Sequence, residues 1–146
     1  MITGGLGFIG SNLVDRLLAD GHAVTAYDNV STGQIRFLDQ AKGHKSFRLV
    51  EGDVLDEKKL AAAVAGHDFI FHFAANADVR FGTEHPRRDL EQNTIATYNV
   101  LEAMRAGGVK SIAWPWYVLI GTTITMIVGM LSSFTHSAPT GGDRWK

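Results

Sequence analysis

Apolar residues in the first 113 positions follow two alternating patterns. Short apolar runs, which are typical of buried strands, lie at 22–27, 46–50, 68–73 and 109–113. Between these runs the apolar residues recur every three or four positions, which predicts helices over 8–19, 56–65 and 90–106. Strands that alternate with helices in this way predict an α/β fold with a parallel sheet.

Each predicted helix has an expected apolar stripe and a glycine close to its end. The stripe of the first helix is Ile9, Leu13, Val14, Leu17 and Leu18. In the second helix Leu60 and Val64 face inward, and in the third Thr94, Tyr98 and Leu101 share one face. The glycines that follow indicate where the three helices stop.

Composition excludes several classes of protein. With 146 residues, 45% of them hydrophobic and 20% charged, the chain can form a folded domain. A net charge of −1 argues against a nucleic-acid partner. The absence of cysteine excludes disulfides and Cys-ligated zinc and suits the cytoplasm, where we expect residues 1–113. The histidine spacing predicts no metal site, and residues 1–18 do not read as a secretory signal.

Charge is distributed unevenly along the chain. Of the 29 charged side chains, 26 lie in residues 1–110, and residues 111–142 carry none. The first pattern is that of a solvated domain surface, whereas the second is that of an apolar segment. We therefore expect one module over 1–113, a second over 114–134 and a polar tail over 135–146.

A glycine-rich segment joins the short opening stretch to the first helix. In Thr3-Gly4-Gly5-Leu6-Gly7-Phe8-Ile9-Gly10, the residues Gly4, Gly7 and Gly10 recur at every third position. Gly4 gives the freedom for a tight turn, Gly7 lets a pyrophosphate approach, and Gly10 lets the helix pack closely. The free N–H groups and positive end of the helix then face the phosphates. This segment predicts a dinucleotide-binding turn.

Asp28 favours one dinucleotide over the other. It ends the next strand, 18 residues after Gly10, where a carboxylate can accept hydrogen bonds from both ribose hydroxyls of an adenosine. The same carboxylate repels a 2′-phosphate, so the pattern favours NAD over NADP. A turn followed by an unrelated surface aspartate is the alternative.

Five segments carry recognisable motifs in order along the chain: the glycine segment, Tyr27-Asp28-Asn29, Gly52-Asp53-Val54, His72-Phe73-Ala74-Ala75 and the stretch 93–103. Together they resemble the extended short-chain dehydrogenases/reductases, specifically the NAD-dependent nucleotide-sugar epimerases and dehydratases. The resemblance implies a Rossmann-type doubly wound sheet of order 3-2-1-4 with a later strand beyond, NAD as cofactor, and a nucleotide-diphosphate sugar as partner of a complete homologue. The cofactor-binding residues that it implies are Gly4, Gly7, Phe8, Ile9, Gly10, Asp28, Asn29, Asp53, Val54, Phe73, Ala74, Ala75 and Asn93.

Two of these residues have a second interpretation. Asp53, which the resemblance places against adenine, could instead cap the helix that starts near Asp56. Asn93 could be a helix residue whose side chain satisfies a neighbouring loop. The two roles can coexist in each case, so both interpretations stay open.

The chain departs from the family pattern in two places. Its opening strand, Met1-Ile2-Thr3, is shorter than in the family, although it is expected at the centre of the sheet. The proton-transferring Tyr-x-x-x-Lys of the family has no counterpart, because no lysine lies four positions after Tyr27, Tyr98 or Tyr117. We therefore name no catalytic residue and expect an incomplete domain that lacks its substrate half.

The uncharged residues 114–134 predict a transmembrane helix. As a helix, these 21 residues would be about 31 Å long, close to the ~30 Å of a hydrocarbon layer. Trp114, Trp116 and Tyr117 lie at one end, as aromatic anchors do. The run resembles a transmembrane segment of sodium/solute symporters, which implies a membrane partner. A buried strand over 122–131 is the alternative.

Three interpretations of the whole chain follow from these observations. The leading one is an incomplete, Rossmann-type NAD-binding domain joined near residue 113 to a hydrophobic helix. The second is a membrane-tethered nucleotide-binding module without catalysis. The third is a truncated or fused gene product with no independent function.

Overall fold

A parallel sheet forms the centre of the molecule. A computed structural model describes residues 1–76, 78, 84–109 and 111–112, which belong to one compact unit, Met1–Ala113. Within these residues the strands are β1 Ile2–Thr3, β2 Val24–Asp28, β3 Phe47–Glu51, β4 Phe69–His72 and β5 Ser111–Ile112. Their order is β3-β2-β1-β4-β5, with every pair parallel. The predicted Rossmann-type order, with β1 at the centre, is confirmed.

Helices connect the strands as predicted. The described helices are α1 Phe8–Ala19, α2 Glu57–Val64, α3 Pro86–Asp89 and α4 Ala96–Ala106. A π-helical segment, Leu90–Ile95, joins α3 to α4, and two 3₁₀ turns, Ile35–Leu38 and Ala41–Gly43, precede β3. The predicted helix over 90–106 therefore begins earlier, at Pro86, where a proline fits the first turn of a helix.

Two buried clusters cover opposite faces of the sheet. Successive side chains of a strand point to opposite faces, so Met1 and Tyr27 belong to one cluster and Ile2 and Ala26 to the other. The first cluster includes residues of α2 and α4, and the second includes residues of α1. Helices on both faces make the sheet doubly wound.

The second helix is as predicted. The Asp56 carboxylate accepts a hydrogen bond from the Lys59 amide at 3.1 Å and so caps α2. Leu60 and Val64, four residues apart on the inner face, are fully buried. The cap of this helix is Asp56 and not Asp53, so the interpretation of Asp53 as a helix cap was wrong.

The predicted inner face of the first helix was wrong at its first position. Val14 and Leu18 are buried, but Ile9 is 64% exposed and Phe8 is 79% exposed. Five positions separate Ile9 from Val14, which places the two side chains about 140° apart around the helix. Phe8 and Ile9 instead line the cavity described below.

The face of the third helix that holds Thr94, Tyr98 and Leu101 is not the buried one. Tyr98 is 62% exposed, and the buried residues of α4 are Ala96, Asn99, Val100, Ala103 and Met104. Three of these five residues are small alanines or a polar asparagine, which weakens the apolar signal of this face in the sequence. Asn99 is satisfied there because its side-chain amide donates to the Val54 carbonyl at 3.2 Å.

The predicted membrane helix lies outside the described residues. This holds for the run 114–134, for the alternative strand over 122–131 and for the tail 135–146. Among the helices that the structure describes, none combines the length and the apolar character needed to cross a membrane. The membrane prediction therefore gains no support from the structure.

Candidate functional site

A cavity of about 410 Å³ opens at the carboxyl ends of β1, β2 and β4. Its lining comes from the turn after β1, the end of β2 with the residues that follow it, the turn after β3, and residues 73–75 after β4. The volume is in the usual range of ligand pockets, and the carboxyl edge is where open parallel sheets bind ligands. The cavity is therefore the candidate site.

Backbone packing explains two glycines of the turn. Gly4 has a φ of +67°, and a Cβ there would lie 2.7 Å from the Phe73 carbonyl carbon and the Ala74 amide nitrogen. A Cβ on Gly10 would clash with the carbonyl oxygen of Gly4. The turn, the first helix and the segment after β4 thus meet at distances that only glycine allows.

The amino terminus of α1 is open toward an anion. Gly7 is the N-cap residue, so no side chain caps the helix, and the first turn holds no acidic residue. The first amides of an α-helix have no partner within the helix, and they carry its positive partial charge. Gly7, Phe8, Ile9 and Gly10 all line the cavity. This is the arrangement that binds phosphate groups at helix termini.

Asp28 connects the end of β2 to the glycine turn. One carboxylate oxygen accepts from the Leu6 amide and the other from the Val30 amide, each at 2.9 Å. The residue is 8% exposed and lines the cavity. An ionised carboxylate has about four acceptor positions, so two such bonds leave capacity for hydroxyl donors. Asp28 can therefore hold the turn and a ribose together.

Asp53 holds the turn after β3 instead of lining the cavity. Its carboxylate accepts from the Leu55 amide at 2.9 Å and from the side-chain amide of Asn29 at 3.1 Å. Its neighbours Gly52 and Val54 do line the cavity. Asp53 thus shapes this end of the site through the backbone and through Asn29.

Asn93 satisfies a neighbouring loop, which was the second interpretation of this residue. Its side-chain oxygen accepts from the Asn76 amide at 2.7 Å, and its side-chain nitrogen donates to the Asp89 carboxylate at 2.7 Å. It also donates to the Asn76 carbonyl at 3.2 Å. Gln92, one position earlier in the π-helical segment, lines the cavity. The contact that the structure gives Asn93 is therefore with the loop after β4.

The structure brings eleven of the thirteen predicted residues to the cavity lining. These are Gly4, Gly7, Phe8, Ile9, Gly10, Asp28, Asn29, Val54, Phe73, Ala74 and Ala75. Asp53 and Asn93 lie behind the lining and hold it. Sequence reasoning missed Gln92, since a glutamine in a helix has no distinctive pattern, and Asn76, whose role depends on a contact 17 residues away.

His72 should make the fold less stable as the pH decreases. Burial lowers the pKa of His72 to about 4 from the usual 6.5. Between these two pKa values the unfolded chain binds a proton that the folded chain does not. The free energy of unfolding therefore decreases by about 3 kcal/mol as the pH falls from about 6.5 to 4. Urea unfolding of the native chain and of His72→Asn across this range measures the effect. Equal pH dependence of the two proteins would contradict the assignment.

The fold and the cavity together define a dinucleotide-binding α/β domain. A glycine turn, an open helix terminus and an acidic strand end converge at the carboxyl edge of a doubly wound sheet. Within the described residues, no three histidine or acidic side chains are grouped so that they could hold a metal ion. The sequence of residues 1–132 matches the NAD dependent epimerase/dehydratase family. The chain belongs to this family.

Individual relatives agree with this assignment. The chain is 39% identical over 114 residues to the UDP-glucose 4-epimerase of Mycolicibacterium smegmatis, a match that covers 77% of the chain and 36% of that protein. The structure of the Thermus thermophilus UDP-glucose 4-epimerase with NAD aligns with a TM-score of 0.66 and 35% identity, over 75% of this chain and 34% of that one. The structure of a dTDP-glucose 4,6-dehydratase from Streptomyces venezuelae with NAD bound aligns with a TM-score of 0.70 and 32% identity, over 74% of this chain and 36% of that one. The chain spans about a third of the length of these relatives.

The family match also bears on the uncharged run. It ends at residue 132 and so includes most of residues 114–134. This overlap gives no support to the prediction that the run resembles a segment of sodium/solute symporters.

Proposed function

We propose that the chain binds NAD in the cavity at the carboxyl edge of its sheet. The observation that carries the proposal is that the uncapped terminus of α1 and the carboxylate of Asp28 face the same cavity. The first suits a diphosphate and the second suits an unphosphorylated adenosine ribose. The NAD-bound structures of the Thermus thermophilus epimerase and the Streptomyces venezuelae dehydratase support the proposal.

The lining residues divide among the parts of the cofactor. The α1 amides and Gly7 would hold the diphosphate, and Asp28 would hold the adenosine ribose. The Gly52 and Val54 backbone, fixed by Asp53, would border the adenine, and residues 73–75 would border the second ribose. The packing of Gly4 and Gly10 favours this assignment. A Cβ at either position would meet neighbouring backbone atoms, as expected for the glycines of a dinucleotide-binding turn.

The proposal for this chain is cofactor binding. Bound NAD supplies hydride acceptance and return, and in the relatives that chemistry serves nucleotide-sugar epimerases and a dehydratase, by their names. A nucleotide-diphosphate sugar is accordingly the substrate class that we propose for a complete enzyme. The sequence holds no Tyr-x-x-x-Lys, so we assign no proton-transfer residue and no turnover to these 146 residues.

Calorimetric titration of the full chain with NAD and with NADP tests the proposal. We expect one NAD per chain and at least about tenfold weaker binding of NADP, because the Asp28 carboxylate repels the added phosphate. AMP serves as a control, since it offers the adenosine without the second ribose and should bind more weakly than NAD. Absence of NAD binding to a folded chain would refute the proposed function.

Membrane tethering through residues 114–134 stays a prediction of the sequence. Partitioning of the full chain between buffer and lipid vesicles decides it independently of NAD binding. The described residues that line the proposed cofactor site lie between Gly4 and Gln92, so NAD titration and vesicle partitioning test different segments of the chain.

A further inference from the structure

Hydrogen bonds hold both ends of loop 73–76, and residues 73–75 of this loop form one wall of the cavity. At its start, the Thr3 hydroxyl oxygen accepts from the Phe73 and Ala74 amides at 3.2 and 3.4 Å. At its end, the Asn93 side chain accepts from the Asn76 amide at 2.7 Å. Both ends of the wall are therefore held by side chains from other elements.

His72 joins the two ends. Its Nδ1 lies 2.6 Å from the Thr3 hydroxyl, and its Nε2 lies 3.2 Å from the Thr97 hydroxyl. Thr97 donates its own proton to the Asn93 carbonyl at 2.6 Å. The hydrogen bonds thus connect β1 to β4 and β4 to Thr97 in α4. Asn93 then connects Thr97 back to loop 73–76.

The number of available protons fixes the tautomer of His72. The single Thr97 proton is used at Asn93, so toward His72 the Thr97 oxygen can only accept, and Nε2 must carry a proton. Burial lowers the pKa of His72 to about 4, so the ring is neutral at pH 7. A neutral ring carries one proton, and because that proton is on Nε2, Nδ1 is unprotonated. Nδ1 then accepts the Thr3 proton, which turns the Thr3 lone pairs toward the two loop amides.

We propose that His72, in its Nε2–H tautomer, is a positioning residue that sets the distance between loop 73–76 and the glycine turn. That distance is critical, because Gly4 already lies against Phe73 and Ala74 with no room for a Cβ. The inference rests on the proposed function, since the wall matters only if NAD lies against it. It extends that function to a side chain that is not itself among the lining residues.

The affinity for NAD of four variants tests this role. Thr97→Val keeps the shape of the side chain but removes the acceptor, and we expect about tenfold weaker NAD binding, whereas Thr97→Ser should bind as the native chain does. His72→Phe should weaken binding at least as much as Thr97→Val. His72→Asn, which can still accept from Thr3, should bind more tightly than His72→Phe.

His67 provides a matched control. Like His72, it contacts a threonine, because its Nε2 lies 2.9 Å from the Thr25 hydroxyl. Its Nδ1 lies 3.2 Å from the Val64 carbonyl oxygen. It lies at the amino ends of the strands, away from the candidate site. His67→Phe should lower the thermal unfolding temperature without changing NAD affinity, whereas a purely structural role of His72 would make the two histidines behave alike.

A spectroscopic measurement separates the failure of this inference from the failure of the proposed function. Nitrogen-15 NMR of the ligand-free chain at pH 7 should show His72 protonated on Nε2, and Thr97→Val should abolish that fixed preference. An Nδ1–H ring in the native chain would overturn the inference whether or not NAD binds. So would native NAD affinity in folded Thr97→Val. If the native chain binds no NAD, the proposed function fails and the positioning role fails with it.

Discussion

Replacing Asp28 with alanine is expected to weaken NAD binding by about ten- to a hundredfold and to abolish the preference for NAD over NADP. Hydrogen bonds to a charged group contribute about 1.5–3 kcal/mol, and Asp28 is the one carboxylate among the described lining residues. Without its charge, no acidic side chain of the described lining repels a 2′-phosphate. Titration of both dinucleotides against native and variant chains measures both effects.

Asp28→Asn is the control for this experiment. The native carboxylate also accepts from the Leu6 and Val30 amides, so the alanine variant loses two internal bonds together with the proposed ribose acceptor. Asparagine keeps the size and one acceptor oxygen but removes the charge. We expect it to stay folded and to discriminate less against NADP. Equal affinity of the native chain for the two dinucleotides, unchanged in Asp28→Ala, would refute the role of Asp28.

Replacing Gly10 with alanine is expected to destabilise the fold by about 1–3 kcal/mol and to weaken NAD binding more than tenfold. The added Cβ would collide with the Gly4 carbonyl and would lie 2.9 Å from the Gly5 Cα. Both are backbone atoms of the turn, so α1 must move away from it. Thermal unfolding by circular dichroism and NAD titration report the two consequences separately.

Gly43→Ala is the matched substitution for Gly10→Ala. A Cβ at Gly43 would meet no atom within 4 Å, and the residue has no positive φ. We expect a change in stability within about 0.5 kcal/mol and unaltered NAD affinity. Similar losses in the two variants would show that the glycine turn has no special steric requirement.

The sequence was sufficient for the strands and helices because their periodicity is local, whereas the strand order came from the resemblance to the family. Four apolar runs became β2 to β5, and the glycine spacing identified a turn whose backbone contacts exclude a Cβ at Gly4 and Gly10. Asp28 could be predicted because a carboxylate at the end of a strand, a fixed distance after the turn, has few other roles. These features depend on residues that are close in the chain.

Contacts between distant segments could not be predicted in the same way. The burial of Ala96 and Ala103 depends on how closely α4 packs on its neighbours, and alanine carries little apolar signal. The positions of Asp53 and Asn93 depend on partners 24 and 17 residues away, Asn29 and Asn76. Their residue types were recognised, but whether they would line the cavity or hold it from behind was not.

The hydrogen-bond network around His72 could not be read from the sequence at all. Its members, Thr3, His72, Asn93 and Thr97, come from four elements, and each residue type is common in other settings. Only the fold reveals that the Thr97 proton is already used and that the tautomer of the ring is therefore fixed.

Val30 has the single positive φ, +60°, among the described residues other than glycine. A β-branched residue in this region costs about 1–3 kcal/mol, and here that cost is offset by packing on the core and by the bond from its amide to Asp28. An isolated peptide of this sequence would relax out of the conformation. The cavity wall at Asp28 therefore exists in its present shape only as a property of the assembled domain, and a fragment cut after β2 would not retain it.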